Sequence, residues 1–129
     1  MNLDMERHSH TEATTPHPGI RRFGMVNRLR AEHVEAYRTL HADEHPGVRE
    51  LLLQYHIVNF SIFLHRIGDE WFEFAYYEYD GADHAADMAA LAQEPLNIAW
   101  LERCDPMQQP LEGSDGWTVM AQVYYNGKT

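Results

Sequence analysis

Tyr37 and His41 stand four residues apart in the run EAYRTLHADEHPGVRELL, neighbours on one face if the run is helical. Histidine takes and gives a proton near neutrality, and a tyrosine hydroxyl beside it can orient a hydroxylated ligand. The same run spells His41-Ala-Asp-Glu44-His45, an H-x-x-E-H string in which two histidines one helical turn apart can bind zinc while the glutamate acts as base. Two features weigh against a metal. Pro46 directly follows His45 and biases its backbone away from the helical geometry that would align the rings, and no third ligand stands out on a later element. With nine histidines in 129 residues, an accidental match is easily made. No metal is expected. On spacing alone two readings stay open for His41: a proton-transfer residue, or a core histidine satisfied by its neighbours, which is the commoner outcome.

The elements that must position this pair follow from the apolar pattern. Residues 1–19 are rich in His, Thr, Pro and Glu and read as a flexible tail; residues 20–129 read as a single domain. IRRFGMVNRL is strand-like, with Phe23, Met25 and Leu29 on alternate positions. From Ala31 to about Tyr55, Val34, Tyr37, His41, Val48, Leu51 and Leu52 fall near one helical stripe, and Pro46 must bend or restart that helix. HIVNFSIFLH reads as a strand with Val58, Phe60, Ile62 and Leu64 on one face, so that Asn59 points to the other. A tight connection leads into WFEFAYYEY, apolar on both faces. One face should meet helices and the other a second copy of the chain. GADHAADMAALAQE and the turns after Pro95 read as helices, ending at Asp105-Pro106, and WTVMAQVYY reads as the last strand.

The order β-α-β-β-α-β is that of a ferredoxin-like α+β fold, an antiparallel four-stranded sheet with helices on one face. Within it Trp100 reads as core or pocket lining, and Cys104 as inert. His33, His56, His65 and His84 read as surface or strand-end residues. Glu73 and Glu78 are left open between solvent and an interface.

Composition narrows the function classes. A net charge of -10 opposes phosphate backbones and argues against nucleic acid. No apolar run approaches membrane-spanning length, and the opening residues lack the apolar stretch of a signal peptide. A single cysteine cannot close an internal disulfide, which suits a reducing cytoplasm.

EAYRTLHADEHPGVRELL followed by NFSIFLH resembles the L-rhamnose mutarotase family, as do WLERCDPMQQPL and WTVMAQVYYN, in matching order from about Arg22 to Asn126. The family's tyrosine-x-x-x-histidine matches Tyr37 and His41, its asparagine-aromatic-x-isoleucine strand matches Asn59 to Ile62, and its aspartate-proline-x-glutamine loop matches Asp105, Pro106 and Gln108. The resemblance implies a dimeric α+β barrel, a homodimer joined through the sheets. It implies cofactor-free exchange of the α and β anomers of L-rhamnose or a similar deoxy sugar. His41 becomes the acid/base. Tyr37, Asn59 and Phe60 become sugar contacts, and Trp100 with Leu101 takes the place of a tryptophan pair that walls the site. Three positions depart from the family: Leu101 replaces the second tryptophan, Phe60 replaces a tyrosine, and His45 replaces a tryptophan ahead of Pro46. The alternative left by those departures is a sugar-binding or purely structural dimer that has lost catalysis.

Overall fold

A computed structural model describes residues 19–42 and 47–128 of the chain. Alternation builds its sheet. In β1 (Arg21–Leu29) the buried residues are Phe23, Met25, Asn27 and Leu29; in β3 (Glu70–Tyr79) they are Glu73, Ala75, Tyr77 and Tyr79. The two strands pair antiparallel along their whole length, with Phe23 opposite Tyr77, Met25 opposite Ala75 and Asn27 opposite Glu73. One face of this central pair is therefore committed to the interior. β2 (Ile57–Ile67) pairs with the other edge of β3, and the order is β2-β3-β1-β4, with β4 (Gln108–Gln109) and β5 (Thr118–Met120) both on the free edge of β1.

Four helices cover the inner face, and each has a local reason to start where it does. A single 3-10 turn (Ala31–His33) leads into α1 (Val34–Ala42). At the head of α2 (Val48–Gln54), the Gly47 amide donates to the Glu50 carboxylate at 2.8 Å, and Gly47 itself sits at φ 96, where a side chain would be strained. Asp83 caps α3 (His84–Leu91) by accepting the Ala86 amide at 3.1 Å, and Pro95 opens α4 (Pro95–Cys104) where its missing N–H costs nothing. Leu40, Leu51, Met88, Leu91 and Trp100 then pack on Phe23, Met25, Ile57, Ala75 and Tyr77 as one cluster. Fully burying each large aliphatic side chain there contributes roughly 1.5–3 kcal/mol. The result is the expected α+β, ferredoxin-like arrangement with helices on one face. No helix among the described residues is long and apolar enough to cross a membrane.

The structure departs from the sequence reading at four places. The last strand is short: only Thr118–Met120 of the expected 117–125 pairs with β1, and Gln108–Gln109, read as loop, pairs with its far end. Beyond Met120 the chain is tied by side chains instead. The Arg22 guanidinium donates to the Tyr125 hydroxyl at 2.7 Å and lies 3.8 Å over its ring, while Val123 is left 93% exposed. In β2 a bulge between Val58 and Ser61 sets two residues, Asn59 and Phe60, against one on β3, so Val58 faces outward rather than joining Phe60, Ile62 and Leu64. Glu73 is wholly buried rather than solvated or at an outer interface. His84 is also buried, not a surface residue: it stacks on Phe23 at 4.6 Å and shares a 2.8 Å hydrogen bond with the Tyr77 hydroxyl. The bend expected at Pro46, Glu44 and His45 of the H-x-x-E-H string, and all of the 1–19 tail except Gly19 lie outside the described residues.

Burial, followed by the nearby Arg21 charge, holds the His84 imidazole down to about 4, with Asp87 and Asp83 opposing. In the interval between that value and the ordinary histidine value the unfolded chain binds the proton and the folded chain does not. The stabilisation is therefore fully present above about pH 6.5 and drains away as pH falls toward 4, by up to about 3 kcal/mol. His84→Asn should shrink that acid loss. The check is the stability difference between wild type and variant from urea unfolding at pH 7.5, 5.5 and 4.0: it should narrow toward acid, and a constant difference counts against a buried neutral imidazole.

Candidate functional site

The last turn of α1 ends over the sheet, and His41 sits there, half-buried. Its Nδ1 lies 2.9 Å from the Tyr37 carbonyl oxygen one turn earlier. A carbonyl only accepts, so Nδ1 carries the hydrogen and the basic lone pair of the neutral ring is on Nε2. The carbonyl ends of the helix also favour a positive charge at this position. The Tyr37 ring packs beside the imidazole at 4.1 Å between centroids, and Trp100 from α4 meets it edge-on at 5.2 Å. Together these contacts with Tyr37 and Trp100 hold the ring plane.

Beside His41 opens a cavity of about 420 Å³, within the range of small-molecule sites. α2 contributes Val48, Arg49, Leu52 and Leu53; β2 contributes Ile57, Asn59, Phe60 and Ile62; Trp100 closes one side. The wall is thus largely apolar and aromatic, with His41, Asn59 and Arg49 as its polar members. The bulge in β2 is what brings Asn59 and Phe60, adjacent in sequence, into the same lining. Asn59 takes φ 53, a conformation that asparagine tolerates better than most residues, and its amide donates to Glu78 at 3.0 Å. The Glu78 carboxylate also accepts from the Tyr76 hydroxyl at 2.8 Å, and these bonds, Asn59's first, hold it below its usual range. Phe60 lies flat on Tyr77 at 5.6 Å, Tyr77 on Phe23 at 4.9 Å, and Phe23 on His84, so the cavity wall is the end of a stack running through the core.

Of the six residues singled out in the sequence, His41, Asn59, Phe60 and Trp100 line this cavity. Tyr37 does not. It is 2% exposed and lies behind His41 among Leu29, Val34, Leu64, Trp71 and Met107. Leu101 is half-buried against the main core, one residue out of phase with Trp100 on the helix. Missing from the sequence reading were Arg49, Leu53 and the role of Ile57. Leu53 and Arg49 are exposed helix residues, which a sequence period cannot tell from an ordinary solvated face.

Behind Tyr37 lies a second feature that the sequence left open. Glu73, with no exposed surface, faces Tyr37 and Gln108 closely enough for each to bias the other's titration. Yet neither carboxylate oxygen, nor the Tyr37 hydroxyl, makes a direct hydrogen bond among the described residues. Burial pushes the carboxyl up to about 7, against the pull of Tyr37 and Gln108. Burial also pushes the Tyr37 hydroxyl well above its usual value, with Glu73 adding to the effect. Cys104, fully buried, is raised to about 11 by the same desolvation and stays a thiol.

Residues 22–126 match the family model described as L-rhamnose mutarotase. Among solved structures the chain is similar to the L-rhamnose mutarotase of Formosa agariphila, with 20% identity, a TM-score of 0.62, and coverage of 82% of this chain and 98% of that one. It is similar too to two NIPSNAP family proteins of Agrobacterium tumefaciens strain C58. One, of unknown function, has 18% identity, a TM-score of 0.60, and coverage of 85% of this chain and 95% of that one. The other has 16% identity, the same TM-score, and coverage of 90% and 96%. At these identities the solved structures speak for the fold alone. No curated protein sequence matches. The family match spans most of the chain and takes in both the helix that carries His41 and the strand that carries Asn59 and Phe60, so this chain belongs to the L-rhamnose mutarotase family, a family of isomerase-class carbohydrate mutarotases.

Proposed function

We propose that the protein interconverts the α and β anomers of a deoxy sugar, L-rhamnose or one close to it, by acid/base ring opening at His41. The observation that carries this reading is a histidine of defined tautomer beside a cavity sized for a monosaccharide. In the reaction the anomeric hydroxyl gives up its proton while a proton reaches the ring oxygen. The C1–O5 bond breaks to leave an open-chain aldehyde, which rotates and recloses on its other face with the two protons returned. Atoms balance, and no metal, nucleotide or redox group is needed. The uncatalysed reaction is already measurable in water, so an acid/base group contributing a few powers of ten suffices.

The lining suits such a substrate. Phe60 and Trp100 offer aromatic faces to the C–H face of a pyranose, and Leu52, Ile57 and Ile62 offer a dry wall for a methyl group where other hexoses carry a hydroxyl. Asn59 and Arg49 are the polar members of the lining, besides His41, that can pair with ring hydroxyls. Nε2 is screened from bulk water, which strengthens any hydrogen bond it makes to a bound sugar. Leu101, implied as a wall residue by resemblance, packs from α4 against the main core rather than in the lining. Nothing in the site favours the alternative of a scaffold that has lost catalysis.

The same reading includes a homodimer formed through the outer face of the sheet. Phe63 is 64% exposed there, beside Phe74, its partner in register on β3, and Phe72 and Phe74 lie 6.4 Å apart. Apolar strand faces of this kind are usually covered.

Two outcomes are expected. His41→Ala should lower anomer exchange about 10²–10⁴-fold, measured by magnetisation-transfer NMR with L-rhamnose, while the protein stays folded and still binds the sugar; exchange at the wild-type rate removes His41 from the mechanism. Phe63→Glu should convert a dimer to a monomer in sedimentation velocity, and a wild-type protein that sediments as a monomer at micromolar concentration defeats the dimer reading.

A further inference from the structure

Glu73 is a carboxylic acid in a place built for hydrocarbon. It lies on the inner face of the central strand, with Asn27 opposite it on β1 and Leu64 opposite it on β2. Such a group is costly to bury unless its oxygens are bonded, and among the described residues neither is bonded directly. The groups that face it come from every element packed there. They are Tyr37 from α1, Gln108 from β4, Cys104 at the end of α4 and Asp105 just after it. Asp105 and Cys104 themselves add no positive charge. Tyr37 connects Glu73 to the cavity side, because its ring supports the imidazole of His41.

We propose that Glu73 is a positioning residue for the acid/base step, acting on His41 through Tyr37. Ionised, it favours the protonated imidazole and so makes His41 the stronger base; protonated, it leaves His41 with its intrinsic basicity. The inference rests on His41 being the proton carrier. Its carboxyl, raised to about 7 by burial, places the switch inside the working range. Tyr37, whose hydroxyl stays protonated, is the polarisable link rather than a second base.

The test is Glu73→Gln in the full-length chain, because glutamine has the shape of the protonated acid and never ionises. Exchange of L-rhamnose anomers is followed from pH 5 to 9, together with the titration of the His41 ring in ¹⁵N-histidine-labelled protein. Below about pH 6 the variant and the wild type should agree within about twofold. Above about pH 8 the variant's kcat should fall roughly three- to tenfold with KM nearly unchanged, and its imidazole should titrate lower by about half a unit to one unit. Tyr37→Phe, which keeps the supporting ring and removes the hydroxyl, should weaken the same alkaline limb, and it stands in if the glutamine variant does not fold. Superimposable pH profiles and an unmoved imidazole titration overturn the proposal, even if the melting temperature changes, since that pattern marks a structural role only. If instead His41→Ala retains full exchange, the acid/base reading itself fails, while the imidazole titration still reports whether Glu73 is felt at position 41.

Discussion

The bond between the His41 ring and the Tyr37 carbonyl is the constraint on which the site depends. It spends the Nδ1 hydrogen inside the helix and so decides which nitrogen has a lone pair to use. It also ties the imidazole to a residue whose own side chain cannot move, because Tyr37 is sealed between α1 and the sheet. A histidine at the same depth without that anchor could turn about its second side-chain torsion and offer either nitrogen. Trp100 and the stack behind Phe60 add steric walls, but they act on a ring whose chemistry has already been assigned by a backbone oxygen.

Much of this was legible in the residues. The order of elements follows from periods of 3.6 and 2 with proline and glycine between them, and the inward aim of Tyr37 follows from its place with Val34 and His41 on one helical stripe. What escaped had physical reasons. An alternating pattern carries no mark of one additional residue, so the bulge at Asn59 and Phe60 reverses the expected facing of Val58. The fate of an acid on a strand is decided by what lies across the sheet, and Asn27, Tyr37 and Gln108 come from three distant parts of the chain. The last strand looked long because its residues alternate, but a strand lasts only as far as its neighbour accompanies it, and Arg22 holds Tyr125 by its side chain rather than along the backbone.

The two faces of the sheet divide the work. The inner face carries the aromatic stack and the titratable groups, so it is both scaffold and lining of the proposed site. The outer face carries phenylalanines and the Tyr76–Glu78–Asn59 chain of hydrogen bonds. Asn59 belongs to both: the bulge gives it a place in the cavity lining and a bond to an outward carboxylate. Whatever rests on the outer face therefore has a short mechanical path to the rim of the cavity.

His84 and Glu73 lie in the same interior layer, and burial denies each its charge. The imidazole's contribution to stability grows as pH rises from 4 to 6.5. The carboxyl does the reverse: its folded value of about 7 lies above the ordinary 4.5, so its burial is harmless in acid and weighs on the fold progressively up to neutrality. Each slope amounts to about 3 kcal/mol across a window of similar width, and over the shared span from about pH 4.5 to 6.5 they run in opposite directions. The two groups thus act like springs set against each other: over that span each offsets part of the pH sensitivity that the other would give the fold.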